Sequence, residues 1–92
     1  MPGVESKLQT KCRKWAKENG WWCAKFTSPG TAGVPDMLFI KNRIVVFIEF
    51  KAPGGKPTPL QKLVMTTMGE HGANVAVVDN FERFVELMES VA

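Results

Sequence analysis

The first part of the chain has the hydrophobic spacing of an amphipathic helix. Apolar positions recur every three or four residues and Gly20 provides a stop, so we predict a helix over residues 4–19. The opposite face of this helix is basic and includes Lys7, Lys11 and Lys14. The apolar stripe consists of Val4, Leu8, Cys12, Trp15 and Ala16.

The next part of the chain is rich in β-branched and aromatic residues, which favour strands. A turn at Asn42 and Arg43 is expected to join two of these strands into a hairpin. In an earlier strand Trp21 and Trp22 are adjacent and must point to opposite sides, so one is expected in the core and the other at a dimer interface or against a base. The predicted strands span residues 21–26, 37–40 and 44–50, and a loop with two glycines and two prolines spans 27–35.

A helix start is marked clearly after the third strand. Residues 52–58 form a loop, and Thr58 is the expected N-cap, with Pro59 at the first helical position. Gln61 completes a capping box with Thr58. This helix is predicted to end near Gly72.

The last part of the chain predicts a short strand over residues 74–78 and a final helix, opened by a capping box of Asp79 and Glu82. The order is therefore α-β-β-β-α-β-α. Because the third strand, second helix and fourth strand form a βαβ unit, those two strands should be parallel. We predict one α/β domain over residues 1–92, a mixed four-stranded sheet flanked by helices.

Composition excludes several classes of protein. Hydrophobic residues make up 45% and charged residues 23% of the 92 positions, a globular balance. The longest apolar run, residues 44–48, is too short to span a membrane, and the lack of a leader favours an intracellular protein. With Cys12, Cys23 and His71 as the only cysteines and histidine, a zinc site or a Ser-His-Asp triad lacks parts, and we expect reduced core cysteines.

The net charge of +3 hides a division between two parts of the chain. Residues 1–62 hold 11 basic residues and four acids, a net charge of +7. Residues 63–92 hold one basic residue and five acids, a net charge of −4. Positive charge gathered in one region favours a polyanion such as nucleic acid as partner.

The predicted hairpin brings two acids together. With Asn42 and Arg43 as the turn, Asp36 lies directly opposite Glu49. Strand alternation places Lys51 on the same face as Glu49, roughly 6–7 Å along the strand. The neighbouring strand positions are apolar on both faces, which predicts a buried pair of strands.

Two ionised carboxylates in this position should repel each other. At about 5 Å and an effective dielectric near 20 the repulsion is about 3 kcal/mol. A hard divalent cation such as Mg²⁺, which takes oxygen ligands, would remove it. The alternative is that Asp36 belongs to an ordinary Pro-Asp turn and that Glu49 and Lys51 lie on an exposed strand edge.

Taken together these motifs resemble the PD-(D/E)xK nuclease superfamily, and most closely its VRR-Nuc branch in the compact stand-alone form of phages and bacteria. The resemblance covers nearly the whole chain, although no Val-Arg-Arg string occurs. It implies a restriction-endonuclease-like fold. The matching positions are Glu5 in the first helix, Gly33-Val34-Pro35-Asp36, then after twelve residues Glu49-Phe50-Lys51, and Gln61.

The resemblance also implies roles for these residues. Asp36, Glu49, the Phe50 carbonyl and Glu5 would bind Mg²⁺, for which Mn²⁺ would substitute. Lys51 would polarise the attacking water and stabilise charge on the phosphate, and Gln61 would orient Lys51 or the water. The expected DNA backbone contacts are Lys7, Lys11, Lys14, Lys25 and Lys56.

The resulting hypothesis is a Mg²⁺-dependent DNA endonuclease, selective for junction, flap or nicked DNA. A homodimer would bring two sites to one substrate, and the cytoplasm of a bacterial or phage-infected cell is the expected location. Two other functions remain open: a non-catalytic nucleic-acid-binding module that retains the nuclease fold, and a small protein-interaction domain in which the acids are edge charges.

Overall fold

The computed structural model describes residues 3–92, with the backbone alone described for Val4 and Glu5. The element order is α-β-β-β-α-β-α, as predicted, and the bounds of each element lie within a few residues of those expected. The elements are α1 (Val4–Glu18), β1 (Trp22–Lys25), β2 (Met37–Lys41), β3 (Ile44–Phe50), α2 (Pro59–Glu70), β4 (Asn74–Val78) and α3 (Phe81–Val91).

The four strands form one mixed sheet in the order β1-β2-β3-β4. β1, β2 and β3 pair antiparallel, whereas β3 and β4 are parallel. This confirms the prediction for the βαβ unit, whose crossover helix is α2. The parallel ladder continues just beyond β3, where the Lys51 N–H donates to the Val78 carbonyl at 2.9 Å.

A two-residue turn sets the register between β2 and β3. Asn42 and Arg43 both have positive φ, 49° and 69°, as in the type I′ turn whose twist suits a hairpin. Met37 pairs with Ile48, so the next position along places Asp36 opposite Glu49. The predicted register is confirmed.

One face of the sheet holds the hydrophobic core beneath α1 and α3. Strand alternation sends Val46, Ile48 and Phe50 of β3 to this face, and each is at most 1% exposed. The rings pack edge-to-face or tilted, with Phe84 of α3 centred 5.3 Å from Phe39 and 5.9 Å from Phe50. The rest of this core consists of Cys12, Ala16, Trp21, Cys23, Met37, Val78 and Met88.

The other face of the sheet carries α2 and is less completely covered. Val45 is 38% exposed and Trp22 is 61% exposed, whereas Trp21 is in the core. The prediction that both faces of the hairpin are buried therefore holds only in part on this side, because Val45 is exposed whereas Leu38, Ile40 and Phe47 are half-buried. Within residues 3–92, no helix has the length and apolar character required to cross a membrane.

Both cysteines are free and buried, as predicted. Burial removes the Cys12 thiolate from water and raises the pKa of its thiol to about 12, against a smaller opposing effect of the Lys11 charge. Cys12 therefore stays a neutral thiol packed in the core.

The start of α3 differs from the prediction. Asn80, not Asp79, is the N-cap, and its Oδ1 accepts a hydrogen bond from the Arg83 N–H at 2.8 Å. Either residue type can cap a helix, so the sequence offered two adjacent candidates. Asp79 is left outside the helix and contacts Gly54 instead.

The loop before β2 packs against the first turn of α2. Gly33 has φ +86°, and a Cβ there would lie 3.1 Å from both the Leu60 carbonyl oxygen and Val64 Cγ2. Pro35 in the same loop is fully buried. Gly33 is thus required by its backbone conformation and by the close approach of the helix.

We expect Gly33→Ala to lower the free energy of unfolding by about 1–3 kcal/mol, because alanine is strained at this φ and its Cβ lacks room. Urea denaturation measures the loss. Gly30→Ala is the matched control, since its Cβ would meet nothing within 4 Å. Equal stability of the two variants would contradict this account of the loop.

Candidate active site

Glu49 and Lys51 lie at the end of β3 on the face covered by α2. Glu49 is only 6% exposed and is the buried charged residue among the described core positions. The Lys51 Nζ lies 3.3 Å from Glu49 Oε2, with 17% of the lysine side chain exposed. The two side chains form a largely buried ion pair.

Gln61 connects this ion pair to the start of α2. Its Nε2 donates to Glu49 Oε2 at 3.3 Å, and its Oε1 accepts from the Lys51 Nζ at 2.9 Å. The same Oε1 accepts from the Thr58 N–H at 2.9 Å, and the Gln61 N–H donates to Thr58 Oγ1 at 3.2 Å. The predicted capping box is confirmed, and the amide that completes it also contacts both charged groups of the site.

Asp36 lies just before β2, at the same end of the hairpin as Glu49 and Lys51. Its backbone carbonyl accepts from the Phe26 N–H at 2.7 Å, which continues the β1–β2 pairing to this position. Register places it opposite Glu49, but Asp36 is exposed where Glu49 is buried. The two acids thus share one end of the hairpin in different surroundings.

The charge balance at this site differs from the one inferred from the sequence. The sequence predicts that Asp36 and Glu49 repel each other, with no compensating charge from Lys51. In the structure the Lys51 ammonium lies against Glu49 and supplies a positive charge within the protein itself. Repulsion alone therefore does not require a cation at this position.

The remaining predicted ligands are less fully defined. The Glu5 side chain lies outside the described residues, although the backbone there belongs to α1. The Phe50 side chain is in the core, and the role of its carbonyl stays a prediction. Among the side chains that the structure describes, no three His, Cys, Asp or Glu residues come together as a metal site.

Oxygen donors are nonetheless available at this edge of the sheet. Asp36 and Glu49 offer carboxylates, and the Phe50 carbonyl follows Glu49 directly along the chain. These are hard oxygen ligands of the kind that Mg²⁺ prefers, and Mg²⁺ is usually held by one or two carboxylates with retained water. The donor set therefore fits Mg²⁺.

The predicted DNA-binding lysines are exposed but do not form one group. Lys7 and Lys14 are on α1, which packs on the opposite face of the sheet from α2. Lys11 lies on the same helix, with its Nζ 4.4 Å from the ring centroid of Phe81 at the start of α3. Lys25 ends β1, and Lys56 is in the loop that follows Lys51.

Sequence reasoning missed one residue near the site. The sequence predicts Asp79 as a helix cap, yet its Oδ2 accepts a hydrogen bond from the Gly54 N–H at 3.0 Å, across 25 positions of sequence. No local pattern signals such a contact. The parallel pairing of β3 with β4 creates it, because the two strands end side by side.

The mixed four-stranded sheet carries Asp36, the Glu49-Phe50-Lys51 segment and Gln61 together at one end of its central strands. This architecture and residue pattern define a restriction-endonuclease-like domain. Comparison with models of known protein families found no match. The chain is, however, 40% identical over 78 residues to the protein named "Putative nuclease p44" of Acyrthosiphon pisum secondary endosymbiont phage 1, covering 84% of this chain and 80% of that protein.

Solved structures give the same result. One described as "VRR_NUC domain" superposes with a TM-score of 0.85 at 31% identity, covering 94% of this chain and 95% of the other. A second, a "VRR_NUC domain protein", superposes at 0.78 and 17% identity, covering 97% and 88%, and supports the fold. The chain belongs to the VRR-Nuc domain family.

We expect Lys51→Met to lower the free energy of unfolding by about 2–4 kcal/mol, since the buried Glu49 carboxylate loses the Lys51 ammonium. Adding Glu49→Gln in the Lys51→Met background should recover part of that loss, because the neutral amide needs no counter-charge. Urea denaturation of both variants measures the difference. A double variant less stable than Lys51→Met would disprove the pairing.

Proposed function

We propose that this chain is a Mg²⁺-dependent DNA endonuclease that hydrolyses phosphodiester bonds, with Mn²⁺ as a substitute for Mg²⁺. The observation that carries the proposal is the contact of Gln61 with both Glu49 and Lys51, opposite Asp36, in a VRR-Nuc domain. The 40% identity to a phage protein that bears the name of a nuclease supports the same activity.

The acids and the lysine have separate tasks in this proposal. Asp36, Glu49, the Phe50 carbonyl and Glu5 would hold the metal. When bound, Mg²⁺ would supply Lewis-acid stabilisation and lower the pKa of water. Lys51, next to Glu49, would hold the attacking water and stabilise charge that develops on the phosphate.

Gln61 acts through Lys51 in this scheme. Its Oε1 receives the Lys51 ammonium while α2 anchors the amide through Thr58. Holding a long lysine side chain in one rotamer costs conformational entropy. The capping box supplies that restraint before DNA binds, which keeps the ammonium near the reacting phosphate.

The exposed lysines suit a substrate with a phosphate backbone. Lys7, Lys11, Lys14, Lys25 and Lys56 would contact phosphates without reading base sequence. Their spread over α1, β1 and the loop after β3 suits bent or branched DNA better than one straight duplex, so we propose selectivity for junction, flap or nicked DNA. The cytoplasm of a bacterial or phage-infected cell is the corresponding location.

We expect the protein to cleave labelled DNA with Mg²⁺ or Mn²⁺ and to be inactive with EDTA. Because removal of a group that stabilises transition-state charge costs about 10²–10³ in rate, Lys51→Ala should lose at least that factor. Glu49→Ala should also lose activity, because it removes a proposed metal ligand. A panel of duplex, nicked, flap and four-way junction DNA measures rate and preference. Metal-dependent cleavage by either variant at the unchanged rate would rule out this site.

DNA affinity separates this function from a non-catalytic binding module. Both predict that affinity falls steeply with salt, because phosphate contacts release counterions. A module that only binds would show no cleavage, and its affinity would be unaffected by Asp36→Asn in Mg²⁺. A protein-interaction domain would show neither cleavage nor salt-sensitive DNA binding.

We further propose that two copies act together, since a single site cuts one strand and this chain has 92 residues. The uncovered sheet face beside α2 would be the contact surface. Trp22 is 61% exposed there. It pairs with Ile40 on β2, which pairs with Val45 on β3, so the three side chains form an uncharged row across the strands. Exposed apolar rows of this kind are typical of protein interfaces.

We expect light scattering to give twice the chain mass for the wild-type protein and the single-chain mass for Trp22→Ser. Loss of a large exposed aromatic ring at an interface removes a major part of the binding energy. Leu63→Ser is the control, because Leu63 of α2 is 64% exposed and is not part of the row of Trp22, Ile40 and Val45. A monomeric wild-type protein, or a dimer that Trp22→Ser leaves intact, would argue against this surface.

A further inference from the structure

A tight turn follows Lys51 directly. The Gly55 N–H donates to the Ala52 carbonyl at 2.7 Å, and Gly54 has φ +78°. With Pro53 at the second position and a glycine of positive φ at the third, these four residues form a type II turn. We call residues 52–55 the PG turn.

The PG turn folds back on Lys51. A Cβ at Gly55 would lie 3.3 Å from Lys51 Cβ and 2.9 Å from the Ala52 carbonyl oxygen. Glycine is therefore needed at this position, because the turn backbone lies against the stem of the lysine. The next residue, Lys56, is exposed and leads towards α2.

Asp79 ties the PG turn to the end of the neighbouring strand β4. Its Oδ2 accepts from the Gly54 N–H at 3.0 Å, and its Oδ1 accepts from Asn80 Nδ2 at 2.9 Å. Asn80 in turn caps α3 through the Arg83 N–H. The Gly54 N–H, followed by the Asn80 amide, lowers the pKa of the Asp79 carboxyl, which keeps it an ionised acceptor.

This carboxylate has the geometry of a tether. The carbonyl of Val78, just before Asp79, accepts a hydrogen bond from the Lys51 N–H at 2.9 Å. The segment from Lys51 to Gly54 is therefore held at one end by the main chain of Val78 and at the other by the Asp79 side chain. Among the hydrogen bonds of the described residues, the Asp79 side chain holds the PG turn itself, whereas the Lys51 N–H holds the residue before it. Glycine-rich segments with few contacts are among the most mobile in a protein.

We propose that Asp79 is a positioning residue that holds the PG turn and thereby sets Lys56 for contact with the DNA backbone. The inference rests on the proposed function only in taking DNA as the partner. Asp79 itself touches no phosphate in this account, since a carboxylate repels one. Its effect on DNA passes through the backbone of Gly54 to Lys56.

The test is a double-mutant cycle between Asp79→Ala and Lys56→Ala, read as DNA affinity in EDTA by fluorescence anisotropy. We expect each single variant to weaken binding about three- to tenfold, as for loss of one phosphate contact. In the Lys56→Ala background Asp79→Ala should have no further effect, because it acts through that lysine. Equal weakening in both backgrounds, or none in either, overturns the proposal.

Charge and folding need separate controls. Glu82→Ala is the control for charge, because it removes one negative charge from the first turn of α3. Its effect on DNA affinity should be the same with and without Lys56→Ala, which means no coupling to Lys56. Asp79→Asn keeps one carbonyl acceptor for Gly54 and should retain part of the affinity. Amide hydrogen exchange measured by NMR reports the Gly54 N–H directly. In Asp79→Ala this amide should exchange faster, while the amides of β3 and β4 stay protected. Unchanged exchange at Gly54 overturns the proposed tether.

These readouts do not depend on catalysis. If the wild-type protein binds DNA but never cuts it, the endonuclease proposal fails while the cycle and the Gly54 exchange still decide the role of Asp79. If cleavage is found and the cycle shows no coupling, the tether fails and the endonuclease stands.

Discussion

A one-residue slip in the β2–β3 hairpin would turn Glu49 into the core and Ile48 out of it, since strand side chains alternate between faces. The register therefore decides whether a site exists. It is held by the positive φ angles of the turn, where Asn42 tolerates the left-handed region well, and by the fully buried Met37 and Ile48 at the far end. Arg43 carries the backbone strain of the same turn.

With the register set, the site depends on one amide. Gln61 satisfies a free N–H at the start of α2 and contacts both members of the Glu49–Lys51 pair. Helix position and site geometry are therefore coupled, because a movement of the first turn of α2 would withdraw the amide from the charges. Gly33 lets the loop that leads to Asp36 pack closely on the same turn of α2.

Much of this could be predicted from the sequence because the responsible forces are local. The seven elements follow from apolar spacing and from the Thr58 cap, and the pairing of Asp36 with Glu49 follows from the position of the turn. The N-cap of α3 was misplaced by one residue because Asp79 and Asn80 are both suitable caps. Partial cover of the α2 face was missed because strand composition does not report how many helices lie on each side.

The sequence by itself determined the element order, the strand register and the set of oxygen and nitrogen groups at the end of the hairpin, since these depend on neighbours along the chain and on strand periodicity. The tertiary structure alone decided which distant groups meet. It brought the Gln61 amide to Lys51 and Glu49, put the basic face of α1 on the opposite side of the sheet from α2, and brought Asp79 to Gly54. Contacts between residues distant in sequence depend on how the packed elements are arranged in space, which spacing along the chain does not specify.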